Sequence, residues 1–199
     1  MASFRTPRRA ALIAVAAAFT LTACAGHQMK RVDPAADDEV GGTQIDSADV
    51  IAAAGQASSE LADVLLASTR NDLVVAVATM KNESLQPFNT ALLTDRIRGD
   101  LVRKTSPRVK YLAREHIDAI LREREGNREG VYTRKEFKNL LGADYLLTGR
   151  ILSLSKRADG DRADYFQLNF QLVDAEDSVI TWEKGFEFKK VGDAGVIYQ

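Results

Sequence analysis

The sequence predicts a mixed α/β (α+β) domain: a small mixed sheet with helices packed on it and a C-terminal antiparallel three-strand meander. Three observations lead to this class. Residues 73–80 form a short, nearly continuous apolar run, which is typical of a strand buried on both faces. Apolar residues recur near helical spacing in residues 50–66 and 92–101. Residues 165–172 alternate strictly between polar and apolar, which indicates a strand with one buried face.

The first half of the domain is predicted as helix, strand, helix, strand. Residues 46–68 form the first helix, which begins at Asp46 or Ser47, with Gly55 as the candidate interruption. The buried strand follows, then a loop over residues 82–87. Asn89 or Thr90 caps the second helix, and residues 109–112 form a short strand.

The second half begins with a helix that carries Ile117 and ends where glycines 126 and 130 are expected to break it. Thr133 and Glu136 fit a capping box, so a further short helix is predicted up to residue 141, with a glycine at its C-cap. Three strands follow, at residues 145–155, 165–172 and 180–188, joined by polar turns at 158–161 and 175–178. Trp182 is expected in the core near Phe186. The predicted order is α-β-α-β-α-α-β-β-β.

The N-terminus carries a basic head with Arg5, Arg8 and Arg9, an apolar run over residues 10–21, and the tetrapeptide LTAC that ends at Cys24. The run is too short for a mature membrane span, so residues 1–23 are predicted as a signal peptide. The small residues before the cysteine resemble a bacterial lipoprotein signal, which implies that Cys24 is lipidated. The alternative is an ordinary signal peptide with a cysteine nearby.

Three segments follow from this interpretation: residues 1–23 as lipoprotein signal peptide, 24–45 as lipidated N-terminus and flexible tether, and 46–199 as a single globular periplasmic domain. A tether of about 20 residues reaches at most roughly 70 Å when fully extended. Ala25 follows the cysteine where enterobacterial-type sorting would use an aspartate for inner-membrane retention. The expected location is therefore the outer membrane, lipid-anchored and facing the periplasm, because several acyl chains hold a protein firmly on its membrane.

Charge and residue composition exclude several function classes. The chain has a formal net charge of −1, and loss of the three arginines of the signal leaves −4, which argues against general nucleic-acid binding. His27 and His116 have no metal-ligand partners at suitable spacing, and Cys24 is the single cysteine. We recognise no catalytic motif, so the sequence predicts no cofactor, no metal and no enzymatic activity. The acidic pair around Gly160 is interpreted as a hairpin turn rather than a cation loop.

A protein that acts by binding needs a docking surface, and the charged stretch 122–138 offers a candidate. Arg128, Tyr132 and Arg134 lie on a glycine-flanked loop, and Tyr and Arg are favoured at interface hot spots. The loop precedes the strand entrance that carries Thr148, so the four residues are the candidate partner-binding set. The alternative interpretation of this stretch is a solvated helix and loop.

Residues 142–149, GADYLLTG, together with the lipoprotein signal and residues 179–185, VITWEKG, resemble the LpoB family. These are outer-membrane lipoprotein activators of bifunctional penicillin-binding proteins, and the resemblance covers about residues 73–189. The GADYLL segment is also similar to that of CsgG lipoproteins, and both families resemble the N-terminal domain fold of TolB. The resemblance implies a globular domain on a tether that contacts a docking domain of a peptidoglycan synthase and raises its glycosyltransferase and transpeptidase activities. Because the late strands are needed for the domain's own sheet, a monomer is expected rather than a ring. Here the tether is short and contains Pro34 as its one proline.

Two other functions remain open at this point. A CsgG-like assembly or secretion lipoprotein would need transmembrane strands of about 9–11 residues with lipid-facing alternation. The three late strands alternate suitably, but the domain needs them for its own sheet. A passive envelope lipoprotein without an enzyme partner is the third possibility.

Overall fold

The computed structural model of the chain describes residues 30–37, 42–133 and 136–193. The predicted signal peptide and Cys24 lie outside these residues, as does Arg134. Residues 1–33 and 34–199 form two separate units, and the elements below belong to the second.

A six-stranded mixed sheet organises this unit. Its strands are β1 (Leu73–Val77), β2 (Lys81–Asn82), β3 (Val109–Leu112), β4 (Tyr145–Ala158), β5 (Asp161–Asp174) and β6 (Ile180–Asp193). The helices are α1 (Ser47–Ala67), α2 (Thr90–Thr105) and α3 (Ile117–Arg128), with a 3₁₀ turn at Arg114–His116 before α3. The strand order is β3-β1-β4-β5-β6, and the short β2 pairs with β4. This confirms the predicted fold class.

Parallel and antiparallel pairing divide the sheet as the sequence predicts. β1 lies between β3 and β4 and pairs parallel with both. All five of its residues are buried, as expected for a strand covered on both faces. β4, β5 and β6 form the antiparallel meander. Asp159 and Gly160 join β4 to β5, and both have positive φ (52° and 89°), as a two-residue type I′ hairpin turn requires. The hairpin interpretation of this acidic pair is confirmed.

One face of the sheet forms the core with α1 and α2. α1 places a row of alanines and Leu61 against the sheet and α2, and Phe166 and Phe170 of β5 lie fully buried beneath it. Trp182 and Phe186 of β6 are half-buried against the same core, which confirms the prediction for Trp182. By length and composition α1 could span a membrane. Its apolar face, however, is occupied within this core, as in the central helix of a globular protein.

The helix starts follow the predicted capping. Asp46 and Asp49 form a reciprocal capping box at the start of α1, and Asn89 accepts a hydrogen bond from the Ala91 N–H at the start of α2. The expected interruption at Gly55 is wrong, because α1 continues through it. Burial of the helix face on both sides of this glycine outweighs its weak helix propensity.

A buried carboxylate lies at the β4–β5 hairpin end of the sheet. Asp164 is 0% exposed and accepts hydrogen bonds from the hydroxyl of Thr43 (2.5 Å), the amide of Gln86 (2.7 Å), Nε of Arg162 (2.8 Å) and the hydroxyl of Ser155. These donors come from four separate parts of the chain. Thr43 belongs to the segment predicted as tether, and it packs with the domain here.

Two predictions for the segment before β4 are wrong. α3 does not break at Gly126 but runs through it to Arg128. The helix predicted over residues 133–141 is absent from its described residues, 133 and 136–141, which are irregular. Their carbonyls have side-chain partners instead: Asn127 donates to Thr133 O, and two arginines donate to Lys138 O and Leu141 O. Gly142 therefore caps no helix.

Candidate docking surface

α3 contributes little to the core. Of its twelve residues, Asn127 alone is buried, and α3 packs mainly against the 3₁₀ turn that precedes it. Its apolar residues Ile120 and Leu121 are exposed. A helix whose apolar side chains face water is not held in place by domain burial, so its surface is available to a partner.

Glycines shape the end of α3. Val131 N–H donates to Gly126 O (2.9 Å) and Gly130 N–H donates to Asn127 O (3.3 Å). Gly130 has φ of 78°. Together these bonds form a Schellman motif, in which a glycine in the left-handed conformation ends the helix and reverses the chain. The reversal brings Tyr132 back onto the helix.

Tyr132 rests on the bare backbone of Gly126. A Cβ built on Gly126 would lie 2.5 Å from Cε2 of the tyrosine ring, so any other residue at position 126 would displace the ring. Tyr132 is nevertheless 49% exposed. The ring is thus fixed on one side and presented to solvent on the other, which lowers the entropy cost of using it in an interface.

Arg128 lies beside Tyr132, and its guanidinium pairs with Glu125 on the preceding turn of α3. Arg128, Tyr132, Glu136 and Phe137 line one open depression of about 1050 Å³. The structure therefore brings together two of the three predicted loop residues. Arg134, the third, lies outside the described residues.

The loop after Tyr132 is held by arginine side chains. The Arg124 guanidinium lies 5.2 Å above the ring of Phe137 and donates to Lys138 O (3.0 Å). Arg114 donates to Leu141 O (2.9 Å). The loop is consequently positioned by polar bonds near the surface, and its apolar side chains remain outside the core.

Apart from Tyr132, sequence reasoning missed these apolar side chains. The docking surface consists of Leu121, Val131, Tyr132, Phe137, Leu140 and Leu141, all of which are exposed. The sequence signal was present in the pair at 140–141. It was assigned to a helix, but both leucines lie in irregular chain.

Thr148 lies elsewhere. It belongs to β4 and lines a separate depression of about 280 Å³ with Arg150, Asn169 and Gln171. The structure places Thr148 and Tyr132 in two different depressions, so they are treated below as two sites.

Asp144 gives the GADYLLTG segment a structural role. Its carboxylate accepts a hydrogen bond from Val74 N–H (2.8 Å) and pairs with Arg70 (2.6 Å). Its carbonyl accepts from Ala175 N–H (2.9 Å). One residue thus joins the start of β1, the start of β4 and the end of β5, which explains an aspartate immediately before the strand.

In the part of the chain that the structure describes, no group of three or more His, Cys, Asp or Glu side chains is arranged to hold a metal ion. His116 is exposed on the 3₁₀ turn, 3.9 Å from the carboxylate of Glu115. His27 lies outside the described residues.

The chain is similar to a known protein family and to solved structures. The family model of the peptidoglycan-synthase activator LpoB matches residues 49–188. No curated protein matches the sequence. The chain is similar to the LpoB C-terminal domains of Escherichia coli (14% identity, TM-score 0.41) and Salmonella enterica (13%, 0.40), covering 66% of this chain and 93% of each of those. It is also similar to the solution structure of E. coli LpoB (11%, 0.40), over 97% of this chain and 83% of that one.

At these low identities and TM-scores the structural likenesses carry no argument. The family model, in contrast, matches about seven-tenths of the sequence, including α2, β1 to β5 and most of α1 and β6. On that match, the chain belongs to the LpoB family of peptidoglycan-synthase activators.

Proposed function

We propose that this protein is a non-catalytic, lipid-anchored protein of the outer membrane that binds and activates a bifunctional penicillin-binding protein and so regulates peptidoglycan synthesis. Membership of a family of synthase activators supports the general role. The partner, the activation and the membrane are the parts that we propose.

The observation that supports binding is the docking surface. Its exposed apolar residues lie on α3 and the following loop. Asn127 is the one residue of α3 that is buried in the domain. Exposed apolar patches rimmed by polar groups are typical of protein interaction sites. We propose that the synthase packs on Tyr132 and Phe137, with Arg128 at the rim.

The proposed anchor is Cys24, and residues 24–45 are the proposed tether. Residues 43–45 are held against the domain: Thr43 bonds to Asp164, Lys190 donates to Gln44 O (3.0 Å), and Ile45 packs on the core. Ser47 also donates to Pro34 O (2.7 Å), so the freely extensible part would end before residue 34, which limits its reach to roughly 35 Å. The synthase must come within that distance plus the length of the domain.

A reconstitution experiment tests the activation. Residues 25–199 are purified and mixed with each bifunctional penicillin-binding protein of the same organism, and binding and the rate of glycan polymerisation are measured. We expect one synthase to bind and polymerise faster. Absence of binding and of any rate change with every such synthase would contradict the proposal. Unchanged β-lactam sensitivity on deletion of the gene would favour a passive lipoprotein, and a large ring extracted in detergent would favour a CsgG-like assembly.

The anchor has its own test. Cys24→Ala should prevent lipidation and shift the protein from the outer-membrane fraction to the periplasmic fraction, or leave it unprocessed. The domain should fold unchanged, because its core is built from residues after position 42. Normal recovery of the variant in the outer membrane would contradict the anchor.

A further inference from the structure

The face of β4, β5 and β6 that points away from α1 and α2 has a mostly polar centre, with an apolar row at one end and a mixed row at the other. Cross-strand pairing places its side chains in rows. At one end lie Leu146, Val173 and Ile180, and at the other lie Leu154, Tyr165 and Lys189. The centre, called the amide face here, consists of Leu152 and seven polar residues: Thr148, Arg150, Gln167, Asn169, Gln171, Glu183 and Glu187. These side chains are half-buried or exposed.

Three amides of this face are held by carboxylates. Asn169 and Gln171 both donate to Oε1 of Glu183 (2.5 and 3.1 Å), and Gln167 donates to Oε1 of Glu187 (3.2 Å). The hydrogen bonds from Asn169 and Gln171 lower the pKa of Glu183 below its ordinary value, so its carboxylate is ionised near neutral pH. Each amide is fixed through its NH₂ group, which orients its carbonyl oxygen before any ligand arrives.

The centre of the face is concave. Lys81, Glu83, Thr148, Arg150, Asn169 and Gln171 line the depression of about 280 Å³. Gly185 stands opposite Asn169 on β6, and a Cβ there would have the Gln167 amide as its nearest neighbour, at 3.8 Å. The absence of a side chain at 185 leaves Asn169 open from that side. The three amides span about 13 Å along β5, from the rise per residue of a strand.

Charge distinguishes among possible ligands. The depression carries two cations, Lys81 and Arg150, and two carboxylates, Glu83 and the adjacent Glu183, so its charges balance. A polyanion such as a nucleic acid requires an excess of positive charge. Interleaved donors and acceptors suit a ligand whose groups both donate and accept, as sugar hydroxyl and acetamido groups do.

We propose that the amide face is a binding site for a neutral, polyhydroxylated glycan chain, with Arg150, Asn169 and Gln171 making the central contacts. This site is separate from the docking surface and does not depend on the proposed activation of a synthase. It would hold the domain against polysaccharide while the loop surface remains free for a protein partner.

Calorimetric titration of the full lipidated chain in detergent with tetra-N-acetylchitotetraose tests the proposal. We expect saturable binding, and a loss of affinity of about three- to tenfold in Asn169→Ala and in Arg150→Ala, the range for one hydrogen bond. The matched control is Gln56→Ala on α1, whose amide is also paired with a carboxylate, that of Glu60 (3.4 Å). The control should bind as the unaltered chain does.

Three results would overturn the site: no binding at millimolar ligand, equal affinity in the Asn169 and control variants, or tighter binding of dextran sulfate than of the neutral sugar. Melting temperatures identify variants that fail to fold, and Asn169→Ser, which keeps a polar donor beside Glu183, then replaces Asn169→Ala. Tyr132→Ala should keep full glycan affinity. If Asn169→Ala instead abolishes synthase binding with glycan affinity unchanged, the amide face is a protein interface.

Discussion

The hairpin end of the sheet buries a charged side chain, whereas the docking surface leaves apolar side chains exposed. Around Asp164, a charged group is completely buried and accepts from four donors, two of which, Thr43 and Gln86, are distant in the chain. Around Tyr132, apolar groups are left in water on a loop held by arginine-to-carbonyl bonds. Removing one hydrogen-bond partner from the first region lowers the stability of the domain. The second contributes little to stability and keeps apolar area available for a partner.

The largest expected effect is on the hairpin end. Asp164→Ala leaves Arg162, Thr43 and Gln86 without their acceptor in a buried site. We expect the free energy of unfolding to fall by about 3–5 kcal/mol, the range for removing one partner of a buried ion pair, as measured by chemical denaturation. Asp161→Ala, an exposed position three residues earlier, should change stability by less than about 0.5 kcal/mol. Equal losses would show that the hydrogen-bond cluster is not what stabilises this end.

The same carboxylate predicts a pH dependence. Burial alone would raise the pKa of Asp164, but hydrogen bonds from Ser155, Thr43 and Arg162 together lower it below its ordinary value. A lowered folded-state pKa means that the stabilisation is complete above the unfolded pKa of about 3.9 and is lost as the pH falls through the folded value. The stability difference between the unaltered chain and Asp164→Asn should be constant above about pH 5 and shrink below pH 4. A difference that is independent of pH down to the acid transition would contradict the assignment.

A smaller effect is expected at the docking surface, and on binding rather than folding. Tyr132→Ala should weaken synthase binding by about 1–2 kcal/mol, while the free energy of unfolding changes by no more than about 0.5 kcal/mol, as for exposed substitutions. Arg134→Glu is predicted to act in the same direction. Titration of the synthase and a thermal melt measure the two quantities. Normal binding by both variants, with loss of binding in Asn169→Ala, would move the docking site to the sheet.

Substitution of two glycines by alanine gives the smallest expected effects and the most selective comparison between the core and the docking surface. Gly55→Ala in α1 has open space around its new Cβ and should stabilise the domain by about 0.5–1 kcal/mol. Gly126→Ala in α3 has the same intrinsic gain, but its Cβ displaces the Tyr132 ring. We therefore expect reduced synthase affinity for Gly126→Ala alone, with both variants folded. Unchanged synthase affinity in Gly126→Ala would mean that the contact between Tyr132 and Gly126 does not matter for docking.

Local patterns accounted for most of the fold. Hydrophobic period two identified β5, the apolar run identified β1, and side-chain chemistry located the caps at Asp46 and Asn89. These signals depend on residues within a few positions of one another, which is why a single sequence suffices to read them. The prediction that Arg128 and Tyr132 form a docking loop also used local features, turn glycines and interface residue types, but the structure places Arg128 in the last turn of α3 rather than on the loop.

The predictions of secondary structure failed where the local conformation depends on a contact with a distant residue, or on a side chain that no periodic pattern reveals. The capping pattern at Thr133 predicted a helix, but Thr133 O, which would accept the first hydrogen bond of that helix, accepts from the Asn127 amide instead. Gly126 was predicted to break the helix because its contact with the Tyr132 ring cannot be seen in the sequence. That contact forms only after the chain reverses at the end of α3.

By itself, the sequence determined most element types, the meander and the family, since each is written in neighbouring residues. Tertiary structure alone decided which polar groups are buried and which apolar groups are not. Thr43 and Asp164 are 121 residues apart in the chain and meet only when the sheet forms. Leu140 and Leu141 lie in irregular chain and are exposed, where a helix had been predicted. Burial depends on all elements together, so the docking surface emerges only once the whole domain has packed.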